Sequence, residues 1–259
     1  MPLMTQVKIV GIVNVTPDSF SDGGQYAHAE AAVRRAEQLF GDGAALVDIG
    51  AESTNPRSTA IAVHEEWQRL EPVLSQLFPR YNDKISIDTY HPETVERAYQ
   101  KFGSHFIVND VTGMNNPAMR QVVARHELHC IVSHLPAQFG TDIQAAHKAA
   151  TLSDAQTVRS ELLQRRTELM TLGVPADRII LDPGIGFGKT MELNQKLLQF
   201  AHLVPGIKVM IGYSRKRFLG EHRFEIEPNL AAGDIAVHAG AAYLRVHDVQ
   251  AHVEHFAHQ

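Results

Sequence analysis

Eight short runs rich in Val, Ile and Leu, at 7–15, 45–51, 84–89, 105–111, 128–134, 178–183, 207–213 and 241–247, recur along this chain with segments of helical period between them. Continuous apolar runs of this length are strands covered on both faces, which is the pattern of a parallel sheet wrapped by crossover helices. The intervening segments agree. Val63, Trp67, Leu70, Leu74 and Leu77 follow spacings of 4, 3, 4 and 3, and Ala155, Val158 and Leu162 follow 3 and 4, so each helix has one apolar face. Val249, Val253 and Phe256 repeat the pattern at the end, within late helices expected over 229–240 and 248–258. Eight strand–helix units predict a closed (β/α)8 TIM barrel, which takes about 250 residues by itself. The expectation is one domain over residues 1–259. A doubly wound open sheet would need a Gly-rich turn after the first strand, and that strand runs instead into Asn14-Val15-Thr16-Pro17-Asp18-Ser19.

Composition narrows the partners. With 24 Lys and Arg against 29 Asp and Glu the net charge is −5, so no basic surface is available for nucleic acid or an anionic membrane. The chain shows neither a signal-peptide pattern nor a long uncharged apolar stretch, and a cytoplasmic protein is expected. The lone Cys130, inside Leu128-His129-Cys130-Ile131-Val132, excludes an intrachain disulfide and reads as a core thiol. Most of the 15 histidines are scattered, with no His-Glu-x-x-His helix or Cys/His cluster, which argues against zinc. Gly184-Ile185-Gly186-Phe187-Gly188-Lys189-Thr190 ends like a phosphate-binding P-loop, but the required first glycine, five residues before Gly188, is Pro183.

In a barrel of this kind the active site lies at the carboxyl ends of the strands. Each apolar run stops on polar residues: Asn14; Glu52-Ser53-Thr54; Asp88-Thr89; Asn109-Asp110; Ser133-His134; Asp182; Ser214-Arg215-Lys216; Arg245-Val246-His247-Asp248. One such ending is ordinary turn chemistry. Eight at one rim call for mutual pairing or a polar ligand. Asp88, Asn109 and Asp182 are acceptors that suit a flat heterocycle with N–H and NH2 edges. Arg245, His247, Ser214 and Asn14, on strands that close the ring, suit an oxyanion.

These motifs resemble those of dihydropteroate synthases, a family of pterin-binding barrels in folate synthesis. The carriers are Gly11-Ile12-Val13-Asn14-Val15-Thr16-Pro17-Asp18-Ser19-Phe20-Ser21-Asp22-Gly23-Gly24, Ile87-Asp88-Thr89, Val108-Asn109-Asp110, Leu181-Asp182-Pro183-Gly184-Ile185-Gly186-Phe187-Gly188-Lys189, Ser214-Arg215-Lys216 and Arg245-Val246-His247-Asp248. The resemblance implies condensation of a 7,8-dihydropterin-6-ylmethyl diphosphate with 4-aminobenzoate, giving dihydropteroate and pyrophosphate. It implies that Asp88, Asn109, Asp182 and Lys216 hold the pterin, that Asn14 serves a Mg²⁺-diphosphate, and that Arg245 and His247 anchor the diphosphate. Phe187, Thr54, Asn55, Ser214 and Arg215 complete the substrate-binding set. Asp182, Lys216, Asp88 and Asp18 carry catalysis, Asp18 riding on a loop, 16–24, that closes over the site. It further implies a homodimer and a sulfonamide target.

The departures bear on activity. Where the family reads Gly-Gly-Glu-Ser-Thr-Arg-Pro-Gly after the second strand, this chain reads Gly50-Ala51-Glu52-Ser53-Thr54-Asn55-Pro56-Arg57, so a guanidinium is replaced by an amide. Losing that charge-assisted contact to phosphate costs on the order of 1.5–3 kcal/mol unless Arg57 replaces it. After the fifth strand Ser133-His134-Leu135-Pro136-Ala137-Gln138 stands in place of a Met-His-Met-like stretch, which alters the pocket roof. Two alternatives follow: a paralogue that binds pterin without turnover, and a methyltetrahydrofolate-dependent methyltransferase. The second would share Asp88, Asn109 and Asp182 but has no evident use for the 16–24 loop or Ser214-Arg215-Lys216.

Overall fold

The computed structural model describes residues 6–16, 25–52 and 61–257. Each apolar run contains one strand: β1 Lys8–Asn14, β2 Leu46–Gly50, β3 Ile85–Asp88, β4 Ile107–Asp110, β5 His129–Ser133, β6 Ile179–Asp182, β7 Met210–Ile211 and β8 Tyr243–Val246. All pairings are parallel, in the order β6-β5-β4-β3-β2-β1-β8-β7. The ring closes between β6 and β7 through a single parallel bridge, Leu181 to Val209, with Leu181 N donating to Lys208 O at 3.0 Å. The (β/α)8 barrel is thus as expected.

Among the described residues nine α-helices surround the strands: α1 Gln25–Gly41, α2 Val63–Tyr81, α3 Pro92–Phe102, α4 Pro117–Arg125, α5 Ile143–Lys148, α6 Ala155–Thr171, α7 Met191–Lys196, α8 Ile226–His238 and α9 Val249–Phe256. The extra one is α5, placed with α6 between β5 and β6. The spaced hydrophobes mark the inner faces: Leu70, Leu74 and Leu77 on α2 and Val158 and Leu162 on α6 are buried. Trp67 is only half-buried, and the buried residue in the first turn of α2 is instead Glu66. None of the helices is long and apolar enough to cross a membrane. Cys130 is buried in the shell between strands and helices, and burial pushes its thiol up to about 12.

The period of two along each strand sorts residues between two cores. Outward residues such as Val13, Val47, Ile49, Ile87, Val108, Val132, Leu181, Leu244 and Val246 pack beneath the helices. Inward residues nearer the strand starts, Val10, Leu46, Ile131, Ile180 and Met210 with Ile107 and Tyr243, plug the barrel. Two residues further along, the inward position is Asp48, Asn109, Ser133, Asp182, Gly212 or Arg245 on six of these strands, while on β1 it is Ile12 and the polar Asn14 comes one step later. The interior therefore turns from apolar to polar within one or two steps of the repeat, toward the carboxyl ends.

Candidate active site

On β2, β3, β4 and β8 the polar layer is one bonded network. Arg245 donates from Nε to Asp48 Oδ2 at 2.7 Å and from Nη2 to Asp88 Oδ2 at 3.0 Å, and Asn109 donates from Nδ2 to Asp48 Oδ2 at 2.9 Å. One guanidinium shared by two carboxylates in a dry setting leaves negative charge in excess. Burial, and then the neighbouring Asp48, push Asp88 up to about 7 against the pull of Arg245. Two acceptors of this layer, Asn109 Oδ1 and Asp48 Oδ1, are buried without a hydrogen-bond partner. An orphaned buried acceptor costs about 1–3 kcal/mol, so this mouth favours a ligand that brings N–H donors.

The loop after β6 shapes the opposite wall. Asp182 accepts from Gly184 N at 2.7 Å through Oδ1, and burial raises its carboxyl above the usual range. Gly184 has φ of +63°, and a Cβ on it would sit 2.1 Å from His134 O, so only glycine fits. Two residues on, Gly186 lets the Lys216 stem pass: a Cβ there would come within 3.2 Å of Lys216 Cδ. Lys216 Nζ donates to Ile185 O and stands 4.8 Å from the centre of the Phe187 ring, a cation–π contact. Burial pulls Lys216 down to about 8, while Asp182 holds it up. A side chain at Gly212 would project to 3.5 Å from Asp182 Oδ2 and against Arg245; glycine leaves that space to a ligand.

The anion side comes from the ends of β7 and β8. Ser214 Oγ lies 3.0 Å from His247 Nδ1 and accepts from His247 N at 3.3 Å. Burial first, then the cations Arg215 and Arg245, push His247 down to about 4, so it meets an anion at neutral pH as a neutral donor. Arg215 sits in the left-handed region at φ of +61°, at a cost of about 1–2 kcal/mol. Its N donates to Asn229 Oδ1 at 2.9 Å, and Nη2 reaches Asp248 Oδ1 at 2.8 Å. Asn229 is buried and anchored by Nδ2 to Arg223 O and Glu225 O. That kinked turn places Ser214 and Lys216 at the mouth. Asn14, the last residue of β1, is exposed at the same rim.

Asp18, Thr54 and Asn55, together with Arg57, lie outside the described residues. Two other strand-end residues serve the scaffold. Asp110 accepts from Thr112 N and Oγ1, both at 2.7 Å, and from Met114 N at 3.1 Å. His134 Nε2 meets Glu161 Oε2 at 3.0 Å. The P-loop likeness fails in space as well as in spacing, because Lys189 Nζ is buried against three carbonyls, His134 O, Gly184 O and Phe187 O, at 3.1, 2.8 and 2.9 Å. Asp48 is the site residue that reading strand ends misses. Its signal is a single carboxylate inside the apolar run Leu46-Val47-Asp48-Ile49-Gly50, in inward register with Leu46. A surface cavity of about 330 Å³ near Phe78, Lys101 and Phe102 lies at the other end of the barrel, away from this chemistry.

A barrel with buried acceptors on one side of its mouth and hydroxyl, imidazole and guanidinium groups on the other defines an enzyme for a flat, donor-edged heterocycle bearing an anionic group. The model of the pterin binding enzyme family matches residues 10–247. The dihydropteroate synthase of Escherichia coli (strain K12) is 33% identical over 255 residues, spanning 95% of this chain and 88% of that protein. A dihydropteroate synthase type-3 of Escherichia coli is 37% identical over 255 residues, 94% of each. The solved dihydropteroate synthase of Xanthomonas albilineans with 4-aminobenzoic acid superposes with a TM-score of 0.83 at 36% identity, covering 98% of this chain and 92% of that one. The chain belongs to the pterin-binding enzyme family, among its dihydropteroate synthases, and is a transferase of folate biosynthesis.

Proposed function

We propose that the mouth condenses 7,8-dihydropterin-6-ylmethyl diphosphate with 4-aminobenzoate. The methylene C–O bond to the diphosphate breaks, the arylamine nitrogen forms the C–N bond and loses a proton, and pyrophosphate leaves. The observation that carries this reading is the orphaned Asn109 Oδ1, set with Asp88 and Asp182 around space that Gly212 keeps open. A pterin's ring N–H and amino group are the donors such acceptors lack. Lys216 donates to a pterin heteroatom, and Phe187 lies beneath its ammonium. As the bond to the leaving group breaks, positive charge grows on the pterin and methylene, and ionised Asp182 offsets it, so the contact that binds substrate strengthens in the transition state.

Charge on the departing diphosphate meets His247, Ser214 and Arg215. Arg245 has Nε and Nη2 committed to carboxylates, which leaves Nη1 for an anion. The donor set fits Mg²⁺, which binds through one or two protein oxygens and the substrate's phosphates. Asn14, exposed at the rim, would hold it through its amide oxygen, and the ion when bound would neutralise leaving-group charge.

The test is product formation from the two substrates, followed as pyrophosphate and dihydropteroate, with Mg²⁺ and with EDTA, beside Asn55→Arg. Metal-dependent formation of both products by the unaltered chain is expected. No product, with pterin still bound and turnover restored in the variant, would instead identify a binding paralogue.

A further inference from the structure

At the rim beside the Asp48–Asp88–Arg245 network, three side chains from three elements converge on one point. Glu52 stands just beyond β2, His91 just beyond β3, and Glu66 in the first turn of α2. One ligating atom from each lies within 4.8 Å of the other two. Glu52 Oε2, Glu66 Oε1 and His91 Nε2 are each buried without a hydrogen-bond partner, and Glu66 is fully buried. Glu52 Oε2 and His91 Nε2 lie 3.4 Å apart, within ion-pair reach of each other, which leaves Glu66 Oε1 as the fully buried oxygen without a partner.

The other oxygen of each carboxylate is already held. Tyr90 donates its hydroxyl to Glu52 Oε1 at 2.6 Å. Thr89 Oγ1 donates to Glu66 Oε2 at 3.0 Å, and Thr94 Oγ1 donates to the same atom. Each glutamate thus has one oxygen fixed by a protein hydroxyl and one facing the cluster, which is how outer-shell groups orient metal ligands. Two carboxylates and an imidazole together match the charge and softness of a divalent transition ion rather than Mg²⁺ or Ca²⁺.

We propose that Glu52, Glu66 and His91 form a binding site for a divalent first-row metal ion of the zinc class, with ligands distinct from the residues assigned to the substrates. Bonds of about 2.0–2.2 Å to zinc would draw the three atoms to roughly 3.3 Å apart. With Glu66 held by its threonines, rotation of Glu52 and His91 supplies that contraction. The ion leaves a fourth position for water. It ties the roots of the loops after β2 and β3 to α2, and so steadies the backbone that leads into residues 53–60 and away from Asp88.

The experiment uses the full chain, stripped with chelator and without substrates, so that no diphosphate recruits Mg²⁺. Zn²⁺ retained after gel filtration is counted by elemental analysis, and Co²⁺ is followed by its visible absorption. One equivalent retained by the parent is expected, with cobalt bands of low coordination number. His91→Lys puts a cation where the metal charge would sit but removes the ligand; it should fold and bind at least 100-fold more weakly. Thr94→Val, which touches only the outer shell, should weaken binding about 10–100-fold. Glu66→Gln should also lose the ion, and His91→Lys keeps the test decisive should that buried variant fail to fold. Folded parent that retains no equivalent, as a cluster bridged by water alone would, overturns the site. Equal retention by parent and His91→Lys overturns it too.

Discussion

Replacing Asp48 by asparagine tests whether the mouth is one electrostatic unit. The amide introduced by Asp48→Asn can keep an oxygen at the place of Asp48 Oδ2, so the bonds from Asn109 Nδ2 (2.9 Å) and Arg245 Nε (2.7 Å) survive in geometry but lose the negative charge. A bond in which a charged group takes part is worth about 1.5–3 kcal/mol net; with Asp48 neutralised only Arg245 supplies charge, and the variant should lose part of that, about 1–1.5 kcal/mol, from the arginine contact. Acting the other way, Asp48 is the largest cause after burial of the elevation of Asp88 to about 7. Without it Asp88 falls toward the ordinary carboxylate range. In the parent, folded Asp88 keeps its proton up to about 7 while the unfolded chain releases it near 3.8, so this group's contribution to stability is lost as pH rises through that window. The first unit by which Asp88 drops in the variant returns about 1.4 kcal/mol above pH 7 and almost nothing near pH 5. Urea denaturation should therefore show Asp48→Asn less stable by about 1–1.5 kcal/mol at pH 5, with the deficit closing or reversing by pH 8. The acid limb of kcat/KM should move to lower pH in step. A deficit of equal size at both pH values, with the acid limb unmoved, would refute the electrostatic coupling of Asp48 to Asp88.

Lys216, held near 8, loses its charge as pH rises, so kcat/KM should fall through about pH 8; in Lys216→Arg that alkaline limb should disappear while kcat/KM drops at every pH. Gly184→Ala places a Cβ 2.1 Å from His134 O at a positive φ and should cost about 2–5 kcal/mol by urea denaturation; a neutral result would mean that the loop after β6 moves freely. Lys189→Met leaves three buried carbonyls without their donor, each worth about 1–3 kcal/mol, and should lower Tm sharply, whereas ATP should shift the Tm of neither protein because this lysine is no phosphate ligand.

The barrel was legible because periodicity reports burial and the plug, shell and helices are all sorted by burial. The strand ends were legible for a related reason: a polar residue that stops an apolar run sits where the layers of the barrel give out, which placed Asp88, Asn109, Asp182 and Arg245 at one mouth. Reading only the ends passed over Asp48, which lies inside its run and is exposed as a site residue by counting in twos from Leu46. What pairs with what was not legible at all. Arg245 reads as an anion anchor, yet two of its nitrogens are committed to carboxylates from β2 and β3, contacts that depend on the curvature of the closed sheet and leave no mark on local spacing. The cluster of Glu52, Glu66 and His91 makes the same point more strongly. Glu66 occupies an inward position of α2 where helical spacing signals a hydrophobe on either side, and only the meeting of two loop roots with that helix reveals that a fully buried carboxylate faces a second carboxylate and an imidazole. Periodicity assigns a residue to a face; the chemistry of the face depends on what the fold brings against it, and that is set by three-dimensional closure rather than by any one segment.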